Sequence, residues 1–95
     1  MGLILATTMK NLAVYSKDMV NLGKIKDLEF DSTSMAVTSI IVEFEKEAAK
    51  EVLGKKLVIR RAKGKVPPES IERIGEDAMN LKLPLKELKG AFKGL

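Results

Sequence analysis

Residues 35–45, Met-Ala-Val-Thr-Ser-Ile-Ile-Val-Glu-Phe-Glu, constrain this chain more than any other stretch. They are rich in β-branched side chains, contain no Gly or Pro, and read as a strand. Neighbouring side chains of a strand point to opposite faces. Ile40, Val42 and Phe44 therefore share one face, and Val37, Ser39 and Ile41 share the other. Both faces carry apolar groups. A strand of this kind is either covered on both sides or takes part in a contact between copies. Val37, Ser39 and Ile41 are accordingly the candidate self-association residues.

The flanking sequence supplies partners of the same kind. Residues 13–16 form a short β-type run, followed by turn signals at Ser16-Lys17-Asp18 and at Asn21-Leu22-Gly23. Residues 24–31 read as a strand in which Ile25 is out of phase with Leu28 and Phe30. A β-bulge near Lys26-Asp27 restores the phase. Asp31-Ser32-Thr33-Ser34 is a turn. Residues 46–53 switch to helical spacing, with Gly54 placed to end the helix. Residues 56–62 return to strand, Lys63-Gly64-Lys65 reads as a hairpin-type turn, and Pro67-Pro68 ends any ladder because neither residue has an N–H. Residues 70–75 and 78–83 are further short strands around Gly75-Glu76-Asp77. After Pro84, the residues Leu85, Leu88, Phe92 and Leu95 form a narrow amphipathic stripe, in a helix weakened by Gly90 and Gly94. With 95 residues the chain has room for one small domain. The expected fold is mainly β, a small barrel or twisted sheet of about 5–7 short strands with one short helix near 46–53 and a C-terminal helix.

Composition narrows the chemistry. There is no His and no Cys, which removes disulfides, thiolate zinc sites, cysteine nucleophiles and the Ser-His-Asp triad. Gly-Lys occurs at residues 23, 54 and 64, but no Ser or Thr follows and the glycine five residues earlier is replaced by Asp18, Ala49 and Ile59. The phosphate-binding loop pattern fails. Asp27, Glu29 and Asp31 alternate with Leu28 and Phe30, as on the solvated face of a half-buried strand. No catalytic, cofactor-binding or metal-binding residue is expected. The N-terminal apolar run is about six residues, far below the roughly 20 of a membrane helix, and Leu3 to Leu5 are expected to pack locally. A cytoplasmic location without direct membrane insertion is the expectation.

Charge is unevenly spread. The formal net charge is +4, from 17 basic and 13 acidic residues. The first 31 residues are neutral, residues 32–53 carry −2 and the remainder carries +6. Lys55, Lys56, Arg60, Arg61, Lys63 and Lys65 form a candidate basic patch with no acidic residue among them. Such a patch suits an RNA backbone. Arg60 and Arg61 nevertheless point to opposite faces of one strand, and aromatic groups to stack bases are few. A solvated edge that discourages strand pairing is the competing reading. The C-terminal stripe has two readings as well. It packs on the barrel as a lid, or it presents Leu85, Leu88 and Phe92 as candidate partner-binding residues.

Three passages carry a family resemblance. Asn11-Leu12-Ala13-Val14-Tyr15-Ser16 resembles the opening strand of the PRC-barrel, the domain named for the photosynthetic reaction centre H subunit. Gly23-Lys24-Ile25-Lys26-Asp27-Leu28-Glu29-Phe30-Asp31 is similar to that family's Gly-Lys-Val-x-Asp strand. Val66-Pro67-Pro68, with Ile71, Ile74, Gly75 and Asp77, resembles its closing element. The resemblance implies a non-enzymatic protein-interaction module without cofactors, and the chain resembles the small stand-alone barrels of archaea. Some of these are implicated in cell division, as adaptors linking the membrane-associated anchor SepF to the FtsZ ring. The expectation is a homodimeric adaptor or scaffold recruited through a protein partner. The alternative is an RNA- or ribosome-associated maturation factor using the basic segment.

Overall fold

The computed structural model describes residues 6–53 and 62–94. In chain order these form helix α1 (Ala6–Met9), strands β1 (Ala13–Tyr15), β2 (Asn21–Asp31) and β3 (Ala36–Phe44), helix α2 (Lys46–Val52), and strand β4 (Ala62–Val66). A 3-10 turn (Pro68–Ser70), β5 (Ile71–Ile74), β6 (Ala78–Leu81), a second 3-10 turn (Leu85–Leu88) and β7 (Lys93–Gly94) follow. Among the described residues the strands make one seven-stranded sheet in the order β5-β6-β1-β2-β3-β4-β7. The end strands β5 and β7 are not paired with each other, so the sheet is not closed among the described residues. It is mainly β, as expected, and β1 and β6 are its one parallel pair among the described residues.

One buried cluster draws on strands from across the sheet, including Val14, Leu22, Ile25, Val42, Phe44, Val66, Met79 and Leu81. A sheet whose separate strands all reach one core has to coil around it, in the manner of a barrel. Each of these side chains adds roughly 1.5–3 kcal/mol on burial, which makes this cluster the main source of stability. Helix α2 closes one side with Ala48, Ala49 and Val52, all buried. Its small residues let the helix approach closely. Its two turns are too short to stand alone.

The expected bulge is present. The register jumps from Ile25↔Val42 to Asp27↔Ile41, and Ile25 is 1% exposed while Leu28 packs against the cluster from the rim. A second irregularity, between Glu29 and Phe30, was not foreseen.

Four expectations need correction. Asn21-Leu22-Gly23 is not a turn but the first part of β2. Gly23 adopts φ +148°, and a Cβ there would lie 2.0 Å from the Glu43 carbonyl oxygen. The glycine serves close approach of β2 and β3, not chain reversal. Lys63-Gly64-Lys65 is likewise not a turn. It runs through β4, where Gly64 pairs with Val42 on one side and Gly94 on the other. A ladder on both sides outweighs the local turn preference of a glycine between lysines. Phe30, read as an inward-facing residue, is 55% exposed. The C-terminal helix is replaced by a single 3-10 turn, a reversal at Gly90 (φ +65°) and the short strand β7. The i, i+3 spacing of Leu85 and Leu88 fits one 3-10 turn, and a glycine in the left-handed region is a helix stop. The strand expected at residues 56–62 and the helix stop at Gly54 lie outside the described residues except for Ala62. Leu3 to Leu5 lie outside them too.

Candidate functional site

Two features of the surface concentrate apolar or charged groups in one place. The first is the outer half of the β2–β3 hairpin. Strand β1 pairs with β2 only from Asn21 to Lys24, and β4 pairs with β3 only from Ile40 to Phe44. Among the described residues, 26–31 and 36–39 therefore pair in the sheet only with one another, as a two-stranded arm. Eleven residues of β2 at about 3.3 Å each match the 36 Å long axis of the molecule. The arm turns at Ser32–Met35, where the Thr33 N–H donates to Asp31 Oδ1 at 2.8 Å and the Met35 N–H donates to the Asp31 carbonyl at 2.7 Å. Met35 closes the turn with φ +58° and is 74% exposed. Phe30 and Val37 stand directly opposite each other in the ladder, 55% and 45% exposed. A Phe–Val pair of this kind supports the hairpin, and the outward rim of the same side chains stays open to a partner.

The second feature is a polar cluster at the root of the arm. The Lys65 ammonium donates to Glu29 Oε2 at 3.2 Å, and the Ser39 hydroxyl donates to Glu29 Oε1 at 3.0 Å. The Thr38 hydroxyl donates to the Glu29 carbonyl at 3.1 Å. The Lys65 hydrogen bond and charge, with the Ser39 hydroxyl, hold the Glu29 carboxyl below its ordinary pKa. This cluster fastens β2, β3 and β4 across one face. It acts as a fastening built from one acid, one cation and two hydroxyls.

Of the expected self-association residues, only Val37 is open. Ser39 and Ile41 are 8% and 9% exposed, which corrects the reading of Val37, Ser39 and Ile41 as one open stripe. Ser39 is held by Glu29, and Ile41 stands between Asp27 and Lys65 in the ladder. The arm's apolar surface instead joins Val37 to Phe30 and Met35. A strand alternation had placed Phe30 with the core. The signal available in the sequence was its distance from the apolar root, eight residues after Leu22 in an eleven-residue strand.

The C-terminal stripe, read either as a lid or as partner-facing, lies against the chain's own core. Leu88 and Phe92 are 1% and 6% exposed within the chain's own core, and Leu85 packs against that core from the rim. Phe92 lies parallel to Phe44, with ring centroids 6.3 Å apart and planes 13° apart. The Gly90 N–H donates to the Glu51 carbonyl at 3.0 Å, so the tail satisfies a backbone acceptor at the end of α2. The lid reading describes this segment. Asp18 fastens its start: the Ser16 hydroxyl donates to the Asp18 carboxylate, and the Leu85 N–H donates to the same oxygen at 3.1 Å. These bonds, led by Ser16, lower the pKa of Asp18.

The described residues include only part of the basic patch. Lys55, Lys56, Arg60 and Arg61 lie outside the described residues. Lys63 and Lys65 sit on β4, with Lys63 exposed and Lys65 engaged by Glu29. Among the described residues no helix is long and apolar enough to cross a membrane.

A coiled sheet around one small core, with an apolar arm standing out from it, belongs to the class of small β binding modules. The particular family is the PRC-barrel domain, whose family model matches residues 1–84, and the chain belongs to that family. Domains of this family are generally small non-catalytic binding or scaffold modules. No curated protein sequence matches the chain significantly.

Proposed function

We propose that this chain is a non-enzymatic protein-interaction module that pairs with itself through the β2–β3 arm and serves as an adaptor between protein partners. One observation carries the reading: Phe30, Met35 and Val37 are all exposed at the end of a two-stranded arm. Burying them against a second arm removes three large apolar groups from water. Within this reading, the resemblance to stand-alone archaeal barrels supports a cell-division adaptor that joins a SepF-type anchor to the FtsZ ring, recruited to the division site through its partner.

Sedimentation of the full chain tests the pairing. A concentration-dependent dimer is expected, and the double substitution Phe30→Asp/Val37→Asp converts it to a monomer with its far-UV spectrum unchanged. A chain that sediments as a monomer at millimolar concentration and recovers no protein partner overturns the reading. Recovery of RNA instead, with affinity that falls steeply as salt rises, would replace it with the ribosome-associated alternative.

A further inference from the structure

The large apolar side chains exposed among the described residues fall into two groups. Phe30, Met35 and Val37 are on the arm, and Met19, Val20 and Leu83 are 64%, 37% and 43% exposed elsewhere. Val20 immediately precedes β2 and the arm is its far half, so the groups stand at opposite ends of that strand. The second group is fixed by its backbone. The Ser16 N–H donates to the Val20 carbonyl at 3.0 Å, and the Val20 N–H donates to Ser16 Oγ at 3.1 Å. The Lys17 N–H donates to the Leu83 carbonyl at 2.9 Å, which ties loop 16–20 to the segment after β6. Met19 lies back along the sheet, its Sδ accepting from Asn80 Nδ2 at 3.7 Å. Its φ is +64°, a left-handed conformation that Asn and Gly adopt at lower cost, so the loop's own geometry does not ask for a methionine there. Lys17, Lys82 and Lys86 are exposed around these side chains, and no ion pair engages them among the described residues. Lys86 is near enough for its charge to act on Asp18. Asp18 is the one acid within 16–20 and 80–86, and its carboxylate is taken up by the Ser16 hydroxyl and the Leu85 N–H.

We infer that Met19, Val20 and Leu83, ringed by Lys17, Lys82 and Lys86, form a docking surface for an acidic protein segment that carries apolar side chains among its carboxylates. The three cations supply the complementary charge, and the apolar floor supplies the area removed from water. A methionine suits this floor, since its unbranched thioether adapts to whatever side chain is laid against it. A membrane fits the surface less well. Val20 and Leu83 are partly sunk and Met19 rests on Asn80, so the group is a shallow floor and not a wedge that reaches into acyl chains. A nucleic acid would engage the lysines and leave the floor unused. This inference rests on the adaptor reading, which needs a partner surface besides the self-pairing arm. The two surfaces share no residue, so either can fail without the other.

The test selects dodecapeptides from a random displayed library on the full chain and, in parallel, on its Phe30→Asp/Val37→Asp variant. Peptides that mix Asp or Glu with Leu, Ile or Phe are expected to be enriched on both. The leading peptide, synthesised with a fluorophore, should bind in anisotropy measurements with an affinity that falls as salt rises. Lys17→Glu/Lys82→Glu should weaken it about tenfold, and Met19→Asn about fivefold. Met19→Asn is also expected to raise the urea midpoint, because asparagine tolerates the left-handed backbone better; binding lost while stability is gained does not come from misfolding. No enrichment overturns the inference, as does enrichment of basic or uncharged peptides. So does an acidic peptide whose binding ignores these substitutions, or one selected by the full chain but not by the arm variant. Vesicles of phosphatidylglycerol and phosphatidylcholine in equal parts are sedimented with the chain alongside. Vesicle binding that Met19→Asn abolishes, with no peptide enriched, overturns the inference in favour of a membrane. A full chain that sediments as a monomer yet yields these peptides would break the self-pairing and support this surface.

Discussion

The β2–β3 hairpin is one continuous pair of strands in two different environments. At its root, Leu22, Ile25, Val42 and Phe44 are each 1% exposed or less. At its tip, Phe30, Met35 and Val37 are each 45% exposed or more. The residue types and alternation are similar in both halves. What differs is the covering layer. Helix α2 and the C-terminal tail lie over the root, β1 and β4 flank it, and all of them stop short of the tip. The same strand chemistry stabilises the fold where something covers it and offers a contact where none of the described residues does.

The largest break in this comparison comes at the point where root strands meet most closely. Gly23→Ala is expected to cost more than about 4 kcal/mol, enough to remove most of the stability of a small domain. Its Cβ would lie 2.0 Å from the Glu43 carbonyl oxygen and 2.8 Å from the Phe44 Cα, both backbone atoms that cannot turn aside. Gly90→Ala is the control. Its φ is also positive, but no atom lies within 4 Å of the added carbon. Only the left-handed backbone is penalised there, by about 1–2 kcal/mol. Urea melts of the two variants should separate widely, and equal midpoints would show that the approach of β2 to β3 is not tight.

Next in size is the contrast between two phenylalanines of the same hairpin. Phe44→Ala removes a fully buried ring that packs on Phe92, and should cost about 3–5 kcal/mol. Phe30→Ala should change stability by less than about 1 kcal/mol, since its ring is more than half exposed and it is paired in the ladder with the half-exposed Val37. Similar losses in thermal melts at a concentration favouring the monomer would mean that the tip is as well covered as the root.

Much of this root was legible in the sequence. The β-branched run predicted β3, the phase slip between Ile25 and Leu28 predicted the bulge, and the apolar spacing after Glu45 predicted α2. These are local signals, and local geometry answers them. The exposure of Phe30 was not legible, because it depends on how far β1 and β4 extend beside β2 and β3. The tail was misread for a related reason. The spacing of Leu85, Leu88 and Phe92 records that all three turn toward the core, without recording that the chain reverses at Gly90 between them. Gly64 looked like a turn residue because its two ladder neighbours, Val42 and Gly94, are distant in sequence. The candidate site was legible only through Val37. The arm that makes Val37 useful is a property of the whole sheet.

The smallest expected effect lies at the boundary between root and tip, in the pairing of Glu29 with Lys65. The hydrogen bond and charge of Lys65, with the Ser39 hydroxyl, lower the pKa of Glu29 from its ordinary 4.5. A carboxyl whose pKa is lower in the folded chain than in the unfolded one binds its proton more readily when unfolded. Its contribution is therefore complete above about pH 4.5 and fades as pH falls through the lower folded value. The charged partners are both partly solvated, so the contribution is modest and salt weakens it. Lys65→Gln should flatten this acid limb by lowering stability slightly above about pH 4.5 while leaving it nearly unchanged at low pH. Asp18 titrates in the same direction from an ordinary 3.8, through Ser16 and the Leu85 N–H, and it fastens the tail instead of the arm. Hydrogen exchange followed from pH 6 to pH 3 separates the two. Loss of protection at Thr38 and Ser39 should follow Glu29 and vanish as a separate step in Lys65→Gln, whereas loosening near Leu85 should persist in that variant. If Lys65→Gln leaves the Thr38 and Ser39 profile as it was, the arm is fixed at its base by the backbone ladder alone, and the polar cluster has no part in setting where root ends and tip begins.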